Sequence, residues 1–274
     1  MPNARKTVVD SRVPNRYKAI IERIFLQHYS ERVNSFEFTR EEFVETAIAL
    51  GIQLPKNIGD VIYSFRYRVE LPEAITRTAP QGQEWIIEGA GRAQYRFRLA
   101  SAHRIIPNER LVTIKVPDAT PEIITTYALS DEQALLAKVR YNRLIDIFLG
   151  VTTYSLQNHL RTTVKNIGQI EIDEVYVGVD RFGRQFVIPV QAKGGTDKHG
   201  VVQTSQDIAC CTEKFPNLIC RAVSAQFMSN ARIALFELMI EDGDIKVAEE
   251  RHYQLVAGAD ISASELAGYA HRSV

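Results

Sequence analysis

Apolar residues recur at the three- and four-residue spacing of a helix in three stretches near the start of the chain. The predicted helices cover residues 16–29, 39–51 and 55–68. In the second helix, Thr39 and Glu42 have the spacing of a capping box, and Gly51 marks its end. This part of the chain is therefore expected to begin as a helical domain with extended segments after its third helix.

Two extended stretches follow, on either side of Gly89 and Gly91, and they predict a β-hairpin over residues 85–100. Three helices followed by a hairpin is the order of elements in a winged-helix domain. There, the second and third helices form the helix-turn-helix and the hairpin forms the wing. We therefore expect residues 1–119 to form a winged-helix-like α+β domain.

The second half of the chain, from residue 120 to 274, is expected to be a separate mixed α/β domain. Residues 107–129, rich in Pro and Thr, would connect the two domains and include a strand near residues 111–116. A capped helix at 130–150 and a second helical piece at 153–164 come next. After these, the pattern changes to the period-two alternation of strands in QIEIDEVYVGVD and QFVIPVQAK.

Further along the chain, the pattern predicts a helix in VVQTSQDIACCTEKF and a buried strand in LICRAVSAQFM. Two further strands are predicted at residues 231–241 and 246–256. The order helix–strand–strand–strand–helix–strand indicates an α/β fold with a mixed sheet.

Composition excludes few classes of protein. The chain has 274 residues, 45% of them apolar, and a formal net charge of zero, so no global attraction to nucleic acid or membrane is expected. The balance is uneven, however. Residues 1–119 carry 18 basic against 14 acidic side chains, whereas residues 120–274 carry 15 against 19. A basic half joined to an acidic half indicates that the two halves have different roles.

Cysteine usage and hydropathy indicate a cytoplasmic protein. Cys210, Cys211 and Cys220 have neither the number for a disulfide framework nor the paired spacing of a structural zinc site, so we expect reduced thiols. The first residues lack the apolar core of a signal peptide, and no apolar run approaches the ~20 residues of a membrane span. No membrane partner is expected.

Polar side chains occur at the ends of two neighbouring predicted strands. Alternation places Glu171 and Asp173 on one face of the first strand and puts Gln191 and Lys193 together on the second. Mg²⁺ prefers oxygen ligands, so Asp173, the side-chain carbonyl of Gln191 and a backbone oxygen are candidate ligands, with Glu171 in reserve. A divalent metal lowers the pKa of water and offsets charge on a phosphate, and Lys193 would position or activate the attacking water.

This pattern resembles the signature of the PD-(D/E)xK nuclease superfamily, in which an Asp on one strand is followed by (Glu/Gln)-x-Lys at the end of the next. Here the motif is Asp173 followed by Gln191-Ala192-Lys193, and the Gln in place of an acid resembles the Mrr-like branch. The resemblance covers roughly residues 130–240. It implies a restriction-endonuclease-like αβββαβ core, Asp173, Gln191 and Lys193 as catalytic residues, and Mg²⁺ as cofactor with Mn²⁺ as an alternative.

Other residues near the motif leave alternatives open. Glu171, Glu174 or Asp180 could complete the metal site, although Glu174 and Asp180 are expected to face solvent. Gln203 and Gln206 lie on the following helix and are candidates to support the site near the scissile phosphate. His199, in the preceding loop, is expected to be exposed.

The N-terminal domain supplies candidate DNA contacts, because basic and polar side chains on a recognition helix and a wing suit base edges and phosphates. The window from residue 92 to 104 holds four arginines and no acid. The candidate DNA-binding residues are Lys56, Asn57, Tyr63, Arg66 and Arg68 on or near the third helix, and Arg92, Arg96 and Arg98 on the wing.

The resemblance and the predicted DNA-recognition domain together indicate a type II restriction endonuclease that acts on specific double-stranded DNA sequences. Cutting two strands needs two sites, so a homodimer is expected, and a cognate DNA methyltransferase encoded nearby would be its partner. Two alternatives remain open. One is a modification-dependent, Mrr-like nuclease; the other is a non-catalytic DNA-binding regulator with a decayed nuclease core.

Overall fold

The structure, a computed structural model, describes residues 14–67, 69–101, 104–127, 131–194 and 199–271. The chain divides into two compact units. The first comprises Met1–His103 with Asn166–Gly168, and the second comprises Arg104–Lys165 with Gln169–Val274. Residues 104–119, which the sequence analysis assigned to the N-terminal domain, therefore belong to the second unit.

The first unit combines helices with a small antiparallel sheet. Its elements in chain order are α1 (Pro14–His28), β1 (Ser35–Thr39), α2 (Arg40–Ala49), α3 (Ile58–Tyr67), α4 (Glu73–Thr76), β2 (Glu84–Gly91) and β3 (Gln94–Ala100). The strand order is β1–β3–β2. The capping box of Thr39 and Glu42 is present as predicted. The third helix begins at Ile58, three residues later than expected.

Aromatic side chains fill much of the core of the first unit. Phe25 on α1 contacts Trp85 on β2 and Phe97 on β3 in edge-to-face geometry, with ring centroids 5.1 and 5.2 Å apart. All three side chains are buried. Edge-to-face pairs at this distance add to the stabilisation from burial alone, so α1 is fixed to the sheet by this cluster.

The second unit is built around one mixed sheet with helices on both faces. Its elements are β4 (Arg104–Ile105), β5 (Thr113–Pro117), α5 (Glu122–Tyr127), α6 (Asp131–Tyr141), α7 (Leu144–Leu149), β6 (Thr152–Val164), β7 (Gly168–Val179), β8 (Gln185–Lys193), β9 (His199–Gly200), α8 (Val201–Lys214), β10 (Ile219–Cys220), β11 (Ala222–Phe227), β12 (Arg232–Glu241), β13 (Asp244–Val256) and α9 (Ala263–Ala270). The strand order is β5–β13–β12–β11–β8–β7–β6.

Strand β8 is central in this sheet and is buried on both faces. It runs antiparallel to β7 and parallel to β11, which follows it after the crossover helix α8. Phe186, Ile188, Val190 and Ala192 face the apolar cluster formed with α6 and α7. Since both faces are covered, the strand has a continuous apolar sequence rather than a polar alternation.

Pro189 lies inside this central strand, where a missing N–H would normally break the ladder. On one side, β8 pairs first with β10 and then with β11. Val187 is opposite Cys220 of β10, and pairing resumes at Val190, which is opposite Val223 of β11. The proline therefore lies at the interruption between the two short strands. The position of the interruption explains why a central strand tolerates a proline here.

One predicted element is wrong. Residues 153–164 form the long strand β6, not a helix. The strand expected near residues 111–116 is confirmed as β5, which joins the large sheet beside β13. The mixed α/β class is also confirmed, and none of the helices in the described residues is long and apolar enough to cross a membrane.

Candidate active site

The predicted polar residues lie where β7 and β8 stop pairing with each other. Their antiparallel register ends at Glu174 and Val190, while β8 continues alongside β11 as far as Lys193 and Gln226. We call residues 171–173 and 191–193 the strand fork. Because β8 is held there on one side only, polar side chains can occupy the space that β7 leaves.

Asp173 occupies this space. Its Oδ2 accepts a hydrogen bond from the backbone N–H of Ala192 at 2.8 Å. Burial raises the pKa of the Asp173 carboxyl, while the Ala192 N–H and the charge of Lys193 act to lower it. The carboxylate is thereby fixed next to the residue that separates Gln191 from Lys193.

Gln191 is fully buried and hydrogen-bonded at both ends of its amide. Its Nε2 donates to the backbone carbonyl of Glu171 at 3.1 Å and to Oδ2 of Asp207 at 2.9 Å. Its Oε1 accepts from Nε2 of Gln203 at 2.7 Å. An amide oxygen has two lone pairs, so one remains for a further partner.

Lys193 and Glu171 lie at the more open part of the strand fork. Lys193 is partly buried, and its charge acts on both Asp173 and Asp207. The side chain of Glu171 forms an ion pair with Nε of Arg161 on β6 at 3.1 Å and lies 3.8 Å from Nδ1 of His159. Glu171 is therefore close to the site but is already paired with a cation.

Asp207 is the residue that sequence reasoning missed. It lies on α8 one turn after Gln203, so the two side chains share a face of the helix. Asp207 is fully buried, and burial raises the pKa of its carboxyl. Its Oδ1 has no hydrogen-bond partner within the described part of the chain. The i, i+4 spacing with Gln203 was the one signal in the sequence that pointed to it.

Two other acids proposed for the metal site lie elsewhere. Glu174 is fully buried, not solvent-facing, and projects to the other face of β7, where it accepts from Nε of Arg140 at 2.8 Å and Oγ of Ser155 at 2.6 Å. Asp180 shapes the turn after β7 by accepting from the backbone N–H groups of Phe182 and Arg184. Neither acid is at the strand fork.

The two glutamines of α8 differ in position. Gln203 contacts Gln191 directly, whereas Gln206 is buried on the same helix. His199, expected to be exposed, is fully buried: it pairs with Ile105 in the short ladder of β4 and β9, and its ring hydrogen-bonds the hydroxyl of Thr204. Burial lowers the pKa of His199 to about 3, so the ring is neutral at physiological pH.

The candidate DNA-binding residues of the first unit differ in exposure. Lys56 and Asn57, just before α3, and Tyr63, in the middle of α3, are exposed, and Arg92 is exposed at the turn between β2 and β3. Arg66 is partly buried on α3. Arg68 lies outside the described residues.

Arg96 and Arg98 on β3 are paired with acids from neighbouring strands. Arg96 lies between Glu37 on β1 and Glu88 on β2, at 2.6 and 3.4 Å, and Arg98 contacts Glu88 at 3.4 Å. The register explains this arrangement, because Glu37 and Glu88 are both directly opposite Arg96. The absence of acids from the sequence window 92–104 therefore does not make this face strongly positive.

The strand fork offers few oxygen donors for Mg²⁺. Among the residues that the structure describes, no three His, Cys, Asp or Glu side chains are grouped closely enough to hold a metal. Asp173 and the amide oxygen of Gln191 nevertheless supply two hard oxygen donors, and Mg²⁺ commonly keeps several waters.

Comparison with known protein families, with curated proteins and with solved structures finds no match to this chain.

Proposed function

We propose that the chain is a Mg²⁺-dependent endonuclease that cuts double-stranded DNA at specific sequences. The observation that carries this proposal is the hydrogen bond from Ala192 N–H to Asp173, which fixes a carboxylate between an amide and a lysine at one end of the sheet. An acid and a hard neutral oxygen can hold a divalent metal, and an ammonium group can offset charge on the phosphate during phosphodiester hydrolysis.

The order of elements in the second unit supports the proposal. Helices α6 and α7 precede the meander β6–β7–β8, and α8 then leads to β11, which is parallel to β8. The same order, αβββαβ, is what the resemblance to the PD-(D/E)xK superfamily implies. Correcting residues 153–164 from helix to strand brings the chain closer to that order, because it supplies the first of the three strands.

Each residue of the strand fork has a role in this proposal. Asp173 and the amide oxygen of Gln191 would hold Mg²⁺, which when bound supplies charge neutralisation for the phosphate and a more acidic water. Lys193 would hold the attacking water in line with the phosphorus and neutralise part of the charge on the phosphate oxygens. Glu171 would be a reserve ligand that first has to leave Arg161.

The first unit supports DNA recognition by its order of elements. Helices α1 to α3 and the hairpin of β2 and β3, with β1 pairing to β3, follow the arrangement of a winged-helix domain. In that arrangement α3 would be the helix placed in the major groove, with exposed Lys56 and Asn57 just before it and exposed Tyr63 in its middle. Arg92, at the turn of the hairpin, would contact phosphates or the minor groove.

The chain would have one DNA-recognition domain and one nuclease site. This fits a type II enzyme that acts as a homodimer, because each strand of the duplex needs one site. A cognate methyltransferase that protects the host DNA would accompany it. The uncharged Gln191 favours a second candidate, a DNA-binding regulator that has lost catalysis, because a site with one carboxylate fewer binds cations more weakly.

The test is cleavage of plasmid and genomic DNA, with and without methylation, in Mg²⁺ or Mn²⁺. We expect discrete fragments from the wild type and none from Lys193→Ala, whereas Lys246→Ala, which removes an exposed lysine on β13, cuts normally. Cleavage restricted to methylated DNA identifies a modification-dependent enzyme. Sequence-specific binding without cleavage in either metal identifies the regulator and rejects the nuclease.

A further inference from the structure

Asp207 and the backbone carbonyl of Glu171 determine which way the amide of Gln191 faces. Both are hydrogen-bond acceptors, and both lie within 3.1 Å of the same atom of Gln191. Only the NH₂ end of the amide can satisfy two acceptors. The oxygen end is consequently turned to the side where Gln203 lies, and its Oε1 accepts from Nε2 of Gln203 at 2.7 Å.

A rotation of the amide by 180° would be harmful in two ways. It would place the oxygen of Gln191 against a carboxylate and a carbonyl, and it would present NH₂ to the position of the proposed metal. The hydrogen bond to Asp207 involves a charged or strongly polar acceptor in a buried setting, where such bonds are worth more than at the surface. The orientation is therefore set by the protein before any ligand binds.

The same geometry explains why position 191 carries an amide and not an acid. A glutamate there would put its carboxylate in contact with that of Asp207 and with the Glu171 carbonyl, without the NH₂ that both acceptors require. Asp207 and Gln191 thus form a matched pair, with the acid on the helix and the amide on the strand.

Asp207 is a poor choice for stability alone. One carboxylate oxygen is buried without a partner, and leaving a buried polar atom unpaired is costly. An asparagine or an apolar side chain would fit the position with less loss. A residue that lowers stability but orients a neighbouring ligand has a functional explanation.

We propose that Asp207 is a positioning residue of the metal site, which holds the amide of Gln191 so that its oxygen faces the bound cation. This inference rests on the proposed function, because it assumes that Gln191 is a metal ligand. It makes the site a four-residue arrangement of Asp173, Gln191, Lys193 and Asp207, in which the acid on the helix orients the amide on the strand.

The experiment measures Mn²⁺ affinity by calorimetry and thermal unfolding in metal-free buffer on the full-length chain. Three proteins are compared: the wild type, Asp207→Leu and Asp207→Asn. Leucine removes the acceptor that faces Nε2 of Gln191, whereas the amide oxygen of asparagine can still accept from it. Thermal unfolding shows whether each variant folds, and Mn²⁺ affinity reports on the orientation of the Gln191 amide.

We expect Asp207→Leu to bind Mn²⁺ at least about tenfold more weakly than the wild type, because the amide of Gln191 is then free to turn. Asp207→Asn should bind Mn²⁺ as tightly as the wild type, with a Tm that is not lowered. A merely structural Asp207 would show a different pattern, with a lower Tm and unchanged affinity in Asp207→Leu.

The outcomes separate the two proposals. If the wild type binds no Mn²⁺, the metal site of the proposed function is rejected and this inference is rejected with it. If the wild type binds Mn²⁺ and Asp207→Leu binds it equally well, the positioning role of Asp207 alone is rejected. An equal loss of affinity in Asp207→Leu and Asp207→Asn would also overturn it, because the loss would then follow the charge of Asp207 and not its hydrogen bond to Gln191.

Discussion

The carboxylate of Asp173 and the backbone N–H of Ala192 are joined by a 2.8 Å hydrogen bond at the point where β7 no longer pairs with β8. The side chain takes the place of the strand that has turned away. It satisfies a backbone donor and at the same time brings a carboxylate between Gln191 and Lys193.

Replacing this carboxylate should affect metal binding more than folding. We expect Asp173→Asn to weaken Mn²⁺ binding and DNA cleavage by roughly a hundredfold or more. Its Tm should not fall, because burial already disfavours the charged form of Asp173 and an amide oxygen can still accept from Ala192. Calorimetry, cleavage rates and thermal unfolding measure the three quantities.

Asp180→Asn is the matched control for that change. Asp180 is an acid on the same segment of chain, but its bonds go to the turn at Phe182 and Arg184. We expect its replacement to lower the Tm slightly and to leave Mn²⁺ affinity unaltered. Equal losses of affinity in the two variants would mean that Asp173 has no special place at the metal.

The buried ring of His199 should make the protein sensitive to acid. Burial lowers its pKa to about 3, so the folded chain binds fewer protons than the unfolded chain below the usual pKa of about 6.5. The free energy of unfolding therefore falls as the pH drops below about 6.5, and the fall continues to about pH 3. Between pH 7 and pH 5, the free energy of unfolding of His199→Gln should therefore fall by about 2 kcal/mol less than that of the wild type.

Urea unfolding at both pH values measures this difference. Thr204→Val is the control, because it removes the hydroxyl that bonds the ring but keeps the histidine. It should lower stability by a similar amount at each pH and retain the pH dependence. A His199→Gln variant that loses stability between pH 7 and pH 5 as steeply as the wild type would contradict the assignment.

The ion pair of Arg140 with Glu174 is expected to matter for stability because the carboxylate is fully buried. Arg140→Met leaves that carboxylate without its cation and should cost about 3 kcal/mol or more. Adding Glu174→Leu should recover most of the loss, since a buried ion pair replaced by apolar groups is often neutral. Denaturant unfolding of the two single variants and the double variant measures the coupling; strict additivity would show that the pair does not interact.

Arginines of the hairpin should contribute unequally to DNA binding. We expect Arg92→Ala to weaken binding to the cognate site and to reduce the salt dependence by about one phosphate contact. Arg96→Ala should change affinity less, because Glu37 and Glu88 already neutralise that side chain. Fluorescence anisotropy at several salt concentrations distinguishes the two, and a larger effect from Arg96 would reverse the assignment.

The sequence predicts much of the sheet but misses β6, for a physical reason. Its residues from Tyr154 to His159 are all exposed, so the strand has no apolar alternation to detect. His159 adopts a left-handed backbone with φ of 47°, which interrupts the alternation further. Leu156 and Leu160 happen to have helical spacing. The threonines at both ends of the strand were the available signal, because β-branched residues favour strands.

The sequence predicts the part of the candidate site that lies on strands and not the part that lies on α8. Strand alternation brings Asp173, Gln191 and Lys193 together because residues of one parity share a face. The place of Asp207 depends on how α8 packs on the sheet, which local pattern does not specify. The pairing of Arg96 with two acids depends likewise on strand register, so a basic run in the sequence says little about the charge of the folded surface.

The crossover from β8 through α8 has a consequence for how the protein folds. The hydrogen bonds of the candidate site join residues that are 12 to 20 positions apart, whereas β5 and β13 pair across more than half of the chain. Short loops cost little entropy to close, and contacts between nearby residues form faster. We therefore expect the contacts between Glu171 and Asp207 to form earlier in folding than the pairing of β5 with β13 at the edge of the sheet.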